Sequence, residues 1–159
     1  MGNLKTTFLL LLLLVSAFTL KAVDNPKNEE KAVIKCIDKL FDGMRAGDSS
    51  MVSQVFHESS RLQTVSTKTG KTVLRNETIA NFLKAIGTPH DIVWDERILS
   101  YDVKIDGAMA TVWTEYAFYA GEKFSHCGVN AFQLFKDDEK GWLITQIIDT
   151  RRVEDCKKE

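Results

Sequence analysis

From residue 91 to residue 153, apolar residues recur at every second position, and the run is cut only by breaks too short to hold a helix. Alternation of period two marks a strand with one buried face. The breaks are Asp106-Gly107, Gly121-Glu122 and Asp137 to Lys140. Connections of that length leave consecutive strands antiparallel. The spacing therefore predicts a meander of long strands over 91–105, 108–120, 124–136 and 141–153, rich in Val, Ile, Tyr, Phe and Trp. Such a sheet has an apolar face that other elements must cover.

The cover comes from the preceding segment. Val33, Cys36, Ile37, Leu40, Phe41 and Met44 recur at helical spacing, which predicts a helix over 28–46 ended by Gly47. Asp48 or Ser49 can cap a short second helix carrying Met51, Val52, Val55 and Phe56. Residues 60–66 alternate weakly as a strand, and Lys68-Thr69-Gly70-Lys71 reads as a turn. Asn76 can cap a third helix with Ile79, Phe82, Leu83 and Ile86 on one face, ended by Gly87 and Pro89. The expected fold is α+β: three N-terminal helices packed on a curved antiparallel sheet.

The N-terminus is expected to be a signal peptide, residues 1–22. Lys5 supplies a positive start and Phe8 to Val15 is an unbroken apolar run that Ser16 to Leu20 extends. That run is shorter than the ~20 residues a membrane-spanning helix needs. Cleavage can follow Thr19 or Ala22, and no Cys stands there to carry a lipid. The alternative is an uncleaved membrane anchor. The mature chain is expected to be secreted or periplasmic, without stable membrane insertion, as one domain over 28–153 and a tail over 154–159. A net charge of −1 with scattered Lys and Arg argues against nucleic acid as a partner.

Three cysteines remain in that chain, Cys36, Cys127 and Cys156. Cys36 falls on an apolar helix face and is expected to be a packed thiol. In an oxidising compartment Cys127 and Cys156 would form a disulfide pinning the tail to the sheet. No C-x-x-C or H-x-x-x-H spacing occurs, so neither a metal site nor a bound cofactor is expected.

Local motifs carry a resemblance. Phe41-Asp42-Gly43-Met44-Arg45-Ala46-Gly47-Asp48, then Val55-Phe56-His57, then Gly141-Trp142-Leu143-Ile144 occur in the order and spacing of the nuclear transport factor 2-like superfamily. The chain resembles that superfamily over residues 28–153, which implies a cone-shaped, cystatin-like α+β roll enclosing a cavity. Phe124 to Phe132, Asp149-Thr150-Arg151-Arg152 and the late Cys156 resemble exported bacterial members described as putative lumazine-binding. Ketosteroid isomerases of this superfamily carry a carboxylate base and a helix-1 tyrosine. The matching positions here are Thr64 and Leu40, so isomerase chemistry of that type is not implied.

In the implied fold the sheet curls round the helices, and the polar lining of a mostly apolar cavity sets the function. His126, Gly128, Asn130, Phe132 and Leu134 share one face of their strand, and the resemblance places that face inward. Two registers are open for the preceding strand. A two-residue turn brings Trp113 and Glu115 beside them; a bulged turn brings Thr114, Tyr116 and Phe118. The second gives the more apolar face and is the one expected. His126 can act as a general acid or base oriented by Asp149, or be a histidine satisfied within the sheet. Asp149 and Arg151, two apart on one strand, can hold a polar ligand head or form a plain ion pair. Glu96 and Arg97 point to opposite faces and do not make a site together. His57 reads as a surface turn residue, and Trp94, Trp113 and Trp142 as core.

The expected ligand-binding set is Tyr116, Phe118, His126, Asn130, Phe132, Asp149 and Arg151, taking a small apolar or aromatic molecule. The competing functions are a small cofactor-free enzyme (lyase, isomerase or hydrolase) working through His126 and Asp149, and a homodimeric protein-interaction module.

Overall fold

The computed structural model describes residues 25–67 and 70–157. The expected signal peptide, Lys68 and Thr69 of the expected turn, and the last two residues of the tail lie outside the described residues. No helix among the described residues is long and apolar enough to cross a membrane.

Helix α1 (Pro26–Ala46) is bounded by its sequence. Asn25 caps it by accepting from the Lys27 amide at 3.1 Å, and proline opens the first turn. Gly47 closes it at φ 66°, a left-handed conformation that a side chain would resist. Helix α2 (Ser49–Ser53) starts at Asp48, whose side chain accepts from the Met51 amide. Strand β1 (Phe56–Ser66) begins earlier than the weak alternation over 60–66 suggested.

Strand β2 (Val73–Glu77) was not expected. All of its residues are exposed, so no alternation betrays it. It pairs with β1 and runs through Asn76, which therefore is not a cap. Thr78 caps helix α3 (Ile79–Gly87) instead, accepting from the Asn81 amide at 3.1 Å.

The segment 91–105 forms two strands rather than one. β3 (Trp94–Ile98) and β4 (Asp102–Asp106) both pair with β5 (Met109–Ala120), at its C-terminal and N-terminal halves. The chain bends between them at Ser100-Tyr101, where the Tyr101 hydroxyl donates to Asp38 on α1. β6 (Lys123–Asp137) and β7 (Gly141–Arg151) complete the meander. The order is β2-β1-β7-β6-β5-β3, with β4 also on β5. Every pairing is antiparallel except that of β1 with β7, which is parallel.

The core lies where α1 crosses the sheet. Val33, Ile37, Leu40, Phe41 and Met44 bury against Val112, Phe132, Leu134 and Ile144, and Phe41 meets Phe132 edge-on at 6.2 Å. Cys36 is a buried thiol donating to the Trp142 carbonyl, and burial pushes its pKa up to about 12. Trp113, more than half exposed, lies outside the core, unlike Trp142.

A disulfide joins Cys127 on β6 to Cys156, with Cα atoms 5.7 Å apart. Cys127 also exchanges two backbone hydrogen bonds with Arg152, each 2.9 Å. The crosslink closes a loop of sequence separation 29. Loop-closure entropy for a loop of that size would give up to ~4 kcal/mol, but the tail beyond Arg152 is largely exposed and can fray. The double variant Cys127→Ser/Cys156→Ser is therefore expected to lose about 2 kcal/mol in urea unfolding. No loss would mean that the tail contributes nothing to the fold.

Candidate functional site

Between α1, α3, β1, β2 and the concave face of the sheet lies a half-enclosed pocket of about 600 Å³. Its wall is apolar, made by Leu40, Phe41, Met44, Leu62, Phe82, Trp94, Phe118 and Ile147. Its floor and rim are polar, so the lining is more mixed than the expected apolar cavity. A second cleft between α1 and β3 is lined by an ion network, in which Asp95 receives Arg45 and Arg97 at 2.7 Å each.

Strand register builds the floor. Ser125 is the extra residue of a bulge, after which Phe118 lies opposite His126, Tyr116 opposite Gly128 and Thr114 opposite Asn130. The bulged register is therefore the one formed. Asn130 in turn faces Asp149, and Asp149 faces Thr64. One polar row, Thr114–Asn130–Asp149–Thr64, thus crosses β5, β6, β7 and β1. Beside it, the His126 ring stacks on Phe118 at 4.9 Å.

Among the expected ligand-binding residues, Phe118, His126, Asn130, Asp149 and Arg151 line the pocket. Tyr116 and Phe132 do not. Phe132 is fully buried beneath α1. Tyr116 occupies the space that Gly128 leaves free and donates its hydroxyl to the Thr150 carbonyl at 2.9 Å. Burial, with the nearby charges of Glu96 and Asp149, raises its pKa further. Leu40 and Thr64 also line the pocket.

Both carboxylate oxygens of Asp149 have partners in the floor. Asp149 Oδ1 accepts from the Thr64 hydroxyl at 2.5 Å, and Oδ2 from Arg151 Nε at 2.8 Å. Asp149 is thereby engaged in holding Arg151. His126 Nδ1 lies 3.1 Å from the hydroxyl of Ser125. Burial alone would lower the Arg151 pKa, but the bond to Asp149 and the surrounding negative charge raise it, so the guanidinium stays charged.

The residue that sequence reasoning passed over is Glu96. Alternation does separate it from Arg97: Asp95 and Arg97 belong to the outer ion network, while Trp94 and Glu96 line the pocket, Glu96 also bordering the second cleft. The available signal was an acidic residue in the inward phase of a strand, between Trp94 and Ile98. Glu96 Oε1 accepts from Asn130 Nδ2 at 2.8 Å, and the same amide nitrogen lies 3.4 Å from Thr114 Oγ1. No described group bonds Oε2, yet no buried polar side-chain atom is left unpaired, so that oxygen opens to the pocket. Burial pushes the Glu96 pKa up to about 7; Asp149 adds to the rise, and Asn130 and Arg151 oppose it. No group of three or more metal-ligating side chains occurs among the described residues.

A family model described as putative lumazine-binding matches residues 28–144. The chain belongs to this family. The fold is similar to that of solved proteins described as nuclear transport factor 2-like. One such protein, of unknown function, from Shewanella baltica is 17% identical, with 80% of this chain and 97% of that chain covered and a TM-score of 0.60. A superfamily protein from Salmonella enterica is 12% identical, covering 85% and 99%, with a TM-score of 0.64. A domain with a cystatin-like fold from Nostoc punctiforme is 17% identical, covering 81% and 80%, with a TM-score of 0.60. At these identities the likeness speaks for the fold alone. No curated protein matches the sequence. The family match ends at Ile144, before Asp149 and Arg151.

Proposed function

We propose that this chain is an exported small-ligand-binding protein, and that its pocket takes a small, mostly aromatic molecule with one polar end. The observation that carries this reading is the pairing of an apolar wall with a carboxyl oxygen of Glu96 that no described group bonds. Pockets of a few hundred Å³ with a few convergent polar groups are where small ligands bind. The family's description points the same way, towards a flat heteroaromatic ring. Export is supported by the apolar run after Lys5 and is consistent with the Cys127–Cys156 disulfide.

The test is native mass spectrometry of the mature protein recovered from an exporting host. An extra mass lost on denaturation is expected, and it should be absent from Ala85→Trp, in which a large side chain fills the pocket. A bare wild-type chain, together with no melting shift in millimolar flat aromatics, would overturn the reading.

A further inference from the structure

We infer that the pocket selects a weakly basic, planar nitrogen heterocycle, and that Glu96 recognises it by sharing one proton with the ring nitrogen. The inference rests on the small-ligand reading and names the chemical class of the ligand.

Charge balance at the floor carries the argument. Asp149 and Arg151 from β7 and Asn130 from β6 act on Glu96, the Tyr116 hydroxyl of β5 feels its charge, and His126 of β6 lines the same pocket. From α1 the pocket receives only Leu40, Phe41 and Met44, while Asp42 and Arg45 belong to the ion network with Asp95. Arg75 and Glu77 of β2 stand at the rim. Asp149 and Arg151 neutralise each other at 2.8 Å. Among the described residues no ion pair reaches Glu96, and burial penalises its charge, so a ligand that excludes water makes the ionised form costlier still.

A neutral base removes the conflict. The complex is either a carboxylic acid donating to the ring nitrogen or a carboxylate accepting from the protonated ring. Both forms hold one proton and no net charge. The proton is already on Glu96 at low pH and is taken from solvent when Glu96 is ionised. Glu96 Oε2 is the atom available for it, because Oε1 is held by Asn130. The aromatic wall, with Trp94 and Phe118, suits a flat ring. A neutral ring lacking the nitrogen gains only the wall, and a permanent cation cannot share a proton.

Isoquinoline, its carbocyclic isostere naphthalene and the permanently charged N-methylisoquinolinium make the test, titrated by protein fluorescence from pH 5 to 9. Wild-type protein is expected to bind isoquinoline at least tenfold more tightly than naphthalene, and more tightly than the methylated cation. The isoquinoline affinity should pass through a maximum with pH, while that of naphthalene stays flat. Glu96→Leu should lose the tenfold preference, and Glu96→Gln should lose the fall in affinity above pH 7, keeping only the change at the acid end where the free ring itself protonates. Equal binding of isoquinoline and naphthalene would overturn the inference but leave the pocket reading standing. A preference that survives in Glu96→Leu, or a tighter methylated cation, would overturn the shared proton. No binding of any of the three would overturn both.

Discussion

Replacing Gly128 by alanine is expected to destabilise the protein by about 3 kcal/mol or more and to lower its melting temperature by roughly 10 °C. Gly-to-Ala changes often stabilise, because they restrict the unfolded chain. Here sterics win. A Cβ at residue 128 would lie 1.8 Å from the Thr150 carbonyl oxygen and 2.9 Å from Tyr116 Cε1. Neither neighbour is the loose end of a flexible side chain. Thr150 sits on β7 between the Asn130–Asp149 pair and the Cys127–Arg152 bridge, and its carbonyl already accepts the Tyr116 hydroxyl. Relief requires β7 to part from β6 or Tyr116 to leave its buried position, and either disturbs the strand that places Asp149 and Arg151. Thermal unfolding of the variant measures this directly. A loss below about 1 kcal/mol would mean that β7 moves aside freely, and that the floor is less rigid than its hydrogen bonds imply.

The meander and α1 were legible because their residues follow the periods that burial imposes. Val33 to Met44 mark the face of α1, and the breaks at Gly107 and Gly121 set the antiparallel order. What escaped has physical causes. β2 is exposed throughout, so its pairing with β1 leaves no trace in hydropathy. The bend at Tyr101 answers to a contact with Asp38 on a distant helix, and such contacts are tertiary. The parallel pairing of β1 with β7 joins the ends of the domain, beyond the reach of any local pattern. At the site, alternation put His126 and Asn130 on one face, and the family resemblance implied that this face is the inner one. Alternation could not decide which partners Asp149 takes, because two-residue spacing fixes a face and not a hydrogen bond. For Glu96 alternation gives the face shared with Trp94, and the fold turns that face to the pocket.

Glu96→Gln is expected to make the protein more stable at pH 8, by about 3 kcal/mol, and to leave stability near pH 4 almost unchanged. The Glu96 carboxyl has its pKa raised from 4.5 to about 7 in the folded protein, chiefly by burial. A raised carboxyl binds its proton more tightly folded than unfolded. Its contribution is therefore most favourable below the unfolded value, and it is lost as pH climbs from about 4.5 through about 7. Glutamine keeps the oxygen that accepts from Asn130 and never ionises, so the variant escapes that loss. Urea unfolding of both proteins at the two pH values gives the answer. Coincident curves at pH 8 would show that water or Arg151 already compensates the carboxylate, and would leave Glu96 an ordinary surface acid. A gain confined to the alkaline side would instead mark a position where the fold gives up stability to keep an ionisable group facing an apolar wall. That is the physical signature of a residue held for binding rather than for folding.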